Sequence, residues 1–205
     1  MTQYDFPTLP DLLRPGLGLV FVGINPSIYS VQRGHYFARS TSRFWPAFSR
    51  SKLSVQIRHA LGRDTLGPED DVLLIDFGIG FTDVVKMPSS NASAIKPADY
   101  ALWAPRLLER LEACGAGMVC FHGVTGYRAF ARYALHSPNE PTPLGLQERT
   151  LGNARIFLAP NPSPANAHFR PEDQVRFYDE LSDLLDATER LGGVRREPDP
   201  YGMRP

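Results

Sequence analysis

The chain has 205 residues, of which 42% are hydrophobic and 21% charged, and its 22 basic and 22 acidic residues give a formal net charge of zero at pH 7. This length and composition are typical of one globular domain with a substantial core. The balanced charge excludes a global electrostatic argument for a nucleic-acid, membrane or acidic partner. The two cysteines, Cys114 and Cys120, are too few for a disulfide framework and lack metal-ligand spacing, so no disulfide, zinc or iron–sulfur site is expected.

The N-terminal residues lack the basic and apolar regions of a secretion signal, and no stretch approaches the roughly 18 apolar residues of a membrane span. We therefore expect a reduced, cytoplasmic protein with no membrane partner. Only Lys52, Lys86 and Lys96 are lysines, and the other basic residues are arginines. Arginine suits phosphate groups better than lysine does, although genomic codon bias would give the same excess.

Two apolar runs that end in the same tripeptide organise the chain. Residues 1–18 are expected to wrap the core as an N-terminal extension. The run 19–23 predicts a buried strand that ends in the turn Asn25-Pro26-Ser27, and the run 156–159 predicts another that ends in Asn161-Pro162-Ser163. Because ligands bind outside the carboxyl ends of parallel strands, both Asn-Pro-Ser turns are predicted to face one cleft.

Between these two strands the pattern alternates. Residues 28–41 form a long aromatic loop of the kind that is usually functional, and Ser40-Thr41-Ser42 offers caps for a helix that carries Phe44, Trp45 and Phe48. A helix is predicted within 51–68, and the run 72–77 is interpreted as the second strand, with a loop at 78–83.

The remaining elements complete an α/β pattern. They are a helix that opens at Asp99 and ends at Gly115, a strand at 118–121, a helix around Tyr127 and Phe130, a hairpin over 148–157, and a helix that opens at Glu172 and Asp173. Strands that alternate with helices predict a sheet with helices on both faces. We expect one domain over 19–190 and a mobile tail over 191–205.

Five motifs in this order resemble the uracil-DNA glycosylase superfamily, and most closely its mismatch-specific branch, the MUG and thymine-DNA glycosylase proteins. They are Gly23-Ile24-Asn25-Pro26-Ser27, Phe37, Arg43-Phe44-Trp45, Gly80-Phe81-Thr82-Asp83 and Asn161-Pro162-Ser163. The similarity spans residues 19–186. It implies a three-layer α/β/α sandwich around a short, largely parallel four-stranded sheet. It also implies a monofunctional enzyme that hydrolyses the N-glycosidic bond of uracil in DNA during base excision repair.

The resemblance assigns catalysis to Asn25, which would position the water that attacks C1′ of the flipped nucleotide, while Pro26 fixes the turn. Asp83 stands where relatives carry lysine or asparagine. A carboxylate there would stabilise an oxocarbenium-like transition state and accept a proton from water. The alternative is a solvated or capping role for Asp83, and Asp76, placed inside the predicted second strand, is the weaker candidate.

By the same resemblance Phe37 would stack on the extruded base, although a core position is the alternative for this ring. Stacking contributes about 1–3 kcal/mol per base. Backbone N–H groups around Ile24 and at Phe37-Ala38 would bind uracil O2 as negative charge develops there. Gly23, Pro26 and Asn161 complete the expected base pocket.

The loop Ser163-Pro164-Ala165-Asn166 matches the segment that enters DNA in this family. Ala165 and Ala167 stand where relatives often place a larger wedge and an arginine, which favours substrates that flip easily, such as mismatched or single-stranded uracil. Arg43, with Arg33 and Arg39, is an expected phosphate contact. His122 is either a structural histidine or part of the pocket.

No lysine falls within these motifs, so a Schiff-base lyase is not expected. Neither a metal nor an organic cofactor is implied, and the protein is expected to act on DNA as a monomer. Two other functions stay open. One is a non-catalytic nucleic-acid or nucleotide-binding module, which would not need Asn25 or Asp83. The other is a hydrolase of free nucleosides, whose 161–167 loop would cap a small pocket.

Overall fold

A computed structural model describes residues 5–166 and 168–192, with side chains up to residue 187. The described chain contains a central five-stranded sheet of order β2-β1-β3-β5-β4. Its strands are β1 (Leu19–Gly23), β2 (Ile79–Asp83), β3 (Met118–His122), β4 (Gly145–Leu151) and β5 (Ala154–Ala159). All neighbours are parallel except β4 and β5, which are antiparallel. The predicted α/β class is confirmed, but the sheet has five strands instead of four because the first arm of the predicted hairpin joins it as an edge strand.

Helices cover both faces of this sheet. They are α1 (Ile28–Arg33), α2 (Phe44–Arg50), α3 (Val55–Leu61), α4 (Asp71–Leu74), α5 (Pro97–Cys114), α6 (Val124–Tyr133) and α7 (Pro171–Gly192). Val20 and Val22 pack in a core cluster with residues of α5 and α6, whereas Phe21 packs in another with α2 and α7. This is the alternation of side chains along a strand that is buried on both faces, and it confirms the three-layer sandwich.

The interpretation of 72–77 as a strand is wrong. Those residues lie in α4 and in the 3₁₀ helix Ile75–Phe77, and the strand is β2, in the predicted loop. A short apolar run does not distinguish a buried strand from a buried helical segment. Gly78 ends the helical segment with φ of 78°, a conformation that favours glycine. Asp76, predicted to lie in a strand, is an exposed residue of the 3₁₀ helix outside the cleft described below.

The predicted loop 28–41 contains helix α1. Ser27 begins that helix, because its Oγ accepts a hydrogen bond from the backbone N–H of Ser30 at 3.0 Å. A serine at this position satisfies one of the donors that every helix start leaves free. The serine of the first Asn-Pro-Ser turn is thus a helix cap, which fixes the end of that turn.

The N-terminal segment contributes to the core, whereas it was expected only to wrap it. Leu9 and Leu17 are each 1% exposed. Leu12 forms an antiparallel bridge with Phe81, with two backbone hydrogen bonds of 2.9 and 3.0 Å. The segment therefore extends along the outer edge of β2. Helix α7 includes the first two residues of the predicted tail 191–205, and the rest of that tail lies outside the described residues.

Candidate active site

A cleft of about 850 Å³ opens at the carboxyl ends of β1, β2, β3 and β5. The two Asn-Pro-Ser turns face each other across it, as predicted from their strand ends. The predicted site residues that line it are Gly23, Ile24, Asn25, Pro26, Phe37, Asp83, Asn161, Ser163, Pro164, Ala165 and Asn166. Two predicted residues, Ala38 and Arg43, do not line the cleft.

The Asn25 amide has a fixed orientation. Its Nδ2, which has two N–H donors, lies within hydrogen-bond distance of three acceptors: Ser89 Oγ at 2.8 Å, the Pro26 carbonyl at 3.1 Å and the Met87 carbonyl at 3.2 Å. No described residue donates to its Oδ1. Because these acceptors fix the position of Nδ2, they also fix the orientation of Oδ1, which stays available to accept a hydrogen bond. An oriented amide oxygen at the mouth of a cleft can position a water molecule.

Asp83 is the last residue of β2 and the register partner of Gly23 on β1. The residue is 3% exposed, and no described group donates a hydrogen bond to its Oδ2. Burial raises the pKa of this carboxyl to about 7, although the nearby Lys86 ammonium acts in the opposite direction. A carboxyl group with a pKa near neutrality, at a cleft, is poised to exchange a proton with a bound water.

A buried group of charges lies behind Asp83, and the motifs did not reveal it. Lys86 is 0% exposed, and its Nζ lies 3.9 Å from Asp83 Oδ2 and 2.8 Å from Asp11 Oδ1. Arg110 of α5 completes the group, with its Nε 3.2 Å from Asp11 Oδ2. The only sequence signal was the spacing of three residues between Asp83 and Lys86. Asp11 lies too far away in sequence to have been paired with either.

Phe37 and Tyr36 have different environments although they are adjacent. Tyr36 is 3% exposed and stacks on Phe81, with 5.3 Å between ring centroids. Phe37 lines the cleft and stacks on Phe44 at 4.3 Å with an interplanar angle of 9°. Its φ of 54° is unusual for a residue with a side chain. Such a conformation persists only where the surroundings enforce it, which is common at functional sites.

Ala38 and Arg43 have structural partners where substrate contacts were predicted. Ala38 is buried, and its N–H donates to Ser30 Oγ at 3.3 Å. The Arg43 guanidinium donates to the carbonyls of Asn166 and Phe169, at 3.1 and 2.5 Å, and its backbone N–H donates to the Pro162 carbonyl at 2.9 Å. Arg43 therefore stabilises the second Asn-Pro-Ser loop through hydrogen bonds to its backbone carbonyls.

The second loop is held by its own polar groups. Asn161 Oδ1 accepts from the Ser163 N–H at 3.0 Å, and Asn166 Nδ2 donates to the Asn161 carbonyl at 3.1 Å. Pro164 and Ala165 form its exposed tip. The predicted Ala167 lies outside the described residues. Within the described part, the tip presents a small surface and no large apolar side chain.

His122 ends β3 and lines the cleft. Its Nε2 lies 2.8 Å from Tyr178 Oη, and its ring packs against those of Phe21 and Phe37 at 5.2 Å. Burial lowers the pKa of His122 to about 3. The imidazole is therefore neutral near pH 7, so His122 contributes a polar but uncharged wall.

Among residues 5–166 and 168–192, no cluster of three or more His, Cys, Asp or Glu side chains is arranged to hold a metal ion. The described chain also contains no helix that is long and apolar enough to cross a membrane.

Comparison with known proteins shows the family of this chain. A sequence profile of the Uracil DNA glycosylase superfamily matches residues 10–182, which include the five strands of the described sheet and every cleft-lining residue except Leu9. The chain belongs to the uracil-DNA glycosylase superfamily. Membership implies hydrolysis of N-glycosidic bonds, and the family acts on DNA.

The fold of this chain is similar to that of a solved structure whose name includes uracil DNA glycosylase. The solution NMR structure of a proposed uracil DNA glycosylase from Methanosarcina acetivorans matches with a TM-score of 0.51 and 18% sequence identity. The match covers 87% of this chain and 97% of that one. At this identity the likeness shows the shared fold, and the assignment to the superfamily rests on the sequence match.

Proposed function

We propose that the protein is a monofunctional uracil-DNA glycosylase of the mismatch-specific branch, which acts in base excision repair by base flipping and direct attack of water. One arrangement carries this proposal. Asn25 and Asp83 leave neighbouring parallel strands at the same end of the sheet and line one cleft with Phe37. An acceptor amide, a carboxyl with a pKa of about 7 and an aromatic platform are the groups that hydrolysis of a flipped nucleotide requires.

The proposed reaction has one chemical step. The flipped uracil stacks on Phe37, and a water molecule donates a hydrogen bond to Asn25 Oδ1. The water oxygen bonds to C1′ while the C1′–N1 bond breaks, and the uracil leaves with the bonding electron pair. Asp83 accepts the proton of the water, and its negative charge stabilises the positive charge on the sugar. Backbone N–H groups of Ile24 and Phe37, both in the cleft lining, are the proposed donors to uracil O2.

The loop tip supports a preference for uracil in weakened base pairs. Pro164 and Ala165 are exposed and small, so they fill the space of an extruded base poorly. Extrusion costs least when the base is mismatched or single-stranded. We therefore propose that uracil opposite guanine and single-stranded uracil react faster than uracil opposite adenine, with other damaged pyrimidines as further candidates.

Single-turnover cleavage of labelled oligonucleotides tests the proposal. The substrates carry uracil opposite guanine, uracil opposite adenine, single-stranded uracil, or thymine opposite guanine. Asn25→Ala and Asp83→Asn are each expected to slow base release by at least about tenfold with little change in DNA binding. The matched controls are Asn153→Ala and Asp64→Asn, because both residues are exposed and lie outside the cleft.

Each contrary result has a definite meaning. Binding of these DNAs without release of any base would favour the non-catalytic binding module. Release of uracil from free deoxyuridine as fast as from DNA would favour the nucleoside hydrolase. DNA binding that weakens steeply with salt would count against that hydrolase, because counterions are released only from a polyanion.

A further inference from the structure

The charged and polar groups next to Asp83 come from four separate parts of the chain. Asp11 lies in the N-terminal segment, Lys86 follows β2, Arg110 lies in α5, and Tyr36 precedes α2. None of Asp11, Lys86 and Arg110 lines the cleft. They can therefore affect a reaction there only through a residue that does. Lys86 and Arg110 lie next to Asp83, and Asp11 contacts both Lys86 and Arg110.

Asp11 is the centre of this group. Its Oδ1 accepts hydrogen bonds from Thr82 Oγ1 at 2.6 Å and from Lys86 Nζ at 2.8 Å. Its Oδ2 pairs with Arg110 Nε at 3.2 Å. The antiparallel bridge between Leu12, the residue after Asp11, and Phe81, the residue before Thr82, fixes the backbone beside it. The N-terminal segment thus places a carboxylate next to the residue that precedes Asp83.

Lys86 has its remaining partners within the same group. Its Nζ donates to Tyr36 Oη at 3.2 Å, and that hydroxyl in turn donates to the Pro10 carbonyl at 3.0 Å. The Tyr36 hydroxyl is neutral, because burial and the nearby carboxylates raise its pKa well above the usual value. The ammonium is therefore held at 3.9 Å from Asp83 Oδ2 by Asp11 and Tyr36. At that separation it attracts the carboxylate without a direct hydrogen bond.

The net charge of Asp11, Asp83, Lys86 and Arg110 decides which protonation state of Asp83 the other three groups favour. With Asp83 ionised, two carboxylates face Lys86 and Arg110, and the buried group is neutral overall. With Asp83 protonated, the group carries one excess positive charge. Arg110 also donates from Nη2 to the backbone carbonyl of Asp83 at 3.1 Å, so it lies beside the same residue. His122, the titratable group on the β3 side of the cleft, is neutral and does not alter this count. A buried excess charge is costly, so the group favours ionised Asp83.

We propose that Lys86 and Asp11 are positioning residues that act through Asp83, with Lys86 favouring the ionised form of its carboxyl and Asp11 limiting that effect. This inference rests on the proposed function for its kinetic readout. Removal of Lys86 leaves an excess negative charge, so Asp83 loses its proton only at higher pH. Removal of the Asp11 charge leaves an excess positive charge, so Asp83 ionises at lower pH. Opposite shifts from two neighbouring residues are not expected from general damage to the fold.

The test compares pH–rate profiles of wild type, Lys86→Met and Asp11→Asn under single-turnover conditions. The acidic limb of Lys86→Met is expected to move up by about one pH unit or more, with a rate near that of wild type well above the new midpoint. The acidic limb of the Asp11→Asn profile is expected to move to lower pH. Lys52→Met is the matched control, since Lys52 pairs with Asp183 on the surface and is 57% exposed. Its profile is expected to coincide with that of wild type.

A titration that needs no activity separates this inference from the proposed function. The ¹³C chemical shift of the Asp83 carboxyl carbon, followed against pH in wild type and both variants, gives the same midpoints without substrate. If no protein releases uracil but the NMR midpoints move in opposite directions, the proposed function fails and the inference stands. Midpoints that coincide with that of wild type, or that move in the same direction in both variants, would overturn it. If Lys86→Met does not fold, the nearly isosteric Asp11→Asn still decides the sign.

Discussion

Gly23 and Asp83 are register partners on β1 and β2, and the Asp83 carboxylate occupies the space where a side chain at position 23 would begin. A Cβ on Gly23 would meet Asp83 Oδ1 at a separation that real Cβ atoms essentially never show. Gly23 is therefore needed for the position of the carboxylate, because it leaves that space empty. The glycine of the Gly-Ile-Asn-Pro motif and the aspartate of the Gly-Phe-Thr-Asp motif form one structural unit.

The first prediction concerns Gly23→Ala. The added methyl group displaces the Asp83 carboxylate, and misplacement of a reacting group by about 1 Å can cost on the order of 10²-fold in rate. We expect single-turnover uracil release to fall by about that factor. Gly18→Ala is the matched control, because a Cβ there would meet only the Gly78 carbonyl oxygen at an ordinary 3.7 Å. Equal losses in both variants would show that Gly23 matters for the strand and not for Asp83.

The second prediction concerns the pH dependence of the wild type. Since the pKa of Asp83 is about 7, the carboxyl is mostly protonated at pH 6 and mostly ionised at pH 8. Only the ionised form accepts a proton, so the rate of uracil release is expected to rise through about pH 7 and then level off. In Asp83→Asn that rise is expected to disappear. If the rate of Asp83→Asn still rises with the same midpoint, the titrating group is a residue other than Asp83.

The third prediction concerns stability. The folded state raises the pKa of Asp83 from 3.8 to about 7, so in that window the folded chain binds a proton that the unfolded chain has lost. The free energy of unfolding contributed by Asp83 therefore decreases as the pH rises from about 4 to 7. Asp83→Asn removes this cost, so its free energy of unfolding, measured in urea at pH 8, is expected to be higher by up to about 4 kcal/mol, because each of the roughly three pKa units corresponds to about 1.4 kcal/mol.

His122 acts with the opposite sign. Its folded pKa is lowered from 6.5 to about 3, so the unfolded chain binds the extra proton and the stability from this group increases between about pH 3 and 6.5. The two contributions offset each other in the wild type. In Asp83→Asn the His122 contribution remains, so its stability is expected to increase from pH 4.5 to 6.5. A flat urea midpoint over that range would contradict the neutral state of buried His122.

The fourth prediction separates two roles for Arg43. If its guanidinium supports the loop through the Asn166 and Phe169 carbonyls, Arg43→Met weakens DNA binding without changing its salt dependence. If it neutralises a phosphate, the slope of log affinity against log salt falls by about 0.9. We expect the first result. Arg170→Met, which changes an exposed arginine near the same loop, gives the reference for a surface charge.

The fifth prediction concerns Phe37. Its ring stacks on Phe44 and lines the cleft, so Phe37→Ala removes a platform that contributes about 1–3 kcal/mol per base. We expect kcat/KM for uracil in DNA to fall by roughly 10- to 100-fold, while the affinity for undamaged duplex DNA, measured by fluorescence anisotropy, stays the same. Loss of both in equal measure would show that the ring shapes the DNA-binding surface as a whole.

The sequence predicted those parts of the site that depend on neighbouring residues in the chain, such as a strand and the turn that follows it. Two strands that end in Asn-Pro-Ser predicted two turns at one cleft, because the carboxyl ends of parallel strands meet at one edge. The position of β2 was missed because its five buried residues include Gly80 and Thr82, whereas the preceding helical segment is more apolar. Asp11 was missed for a different reason. Its contact with Lys86 joins residues 75 positions apart, and no periodicity or motif reports such a pairing.

The strand order has a consequence for how the protein gains its active site during folding. β1 lies between β2 and β3, and β3 lies between β1 and β5, so every parallel pairing joins segments that are far apart in the chain. Contacts of this kind form slowly, because a long loop must close before each of them is made. The second Asn-Pro-Ser turn follows β5, and its orientation toward Asn25 requires that β5 has already paired with β3. Recovery of uracil release after refolding would therefore lag behind recovery of helical signal and would report completion of the sheet.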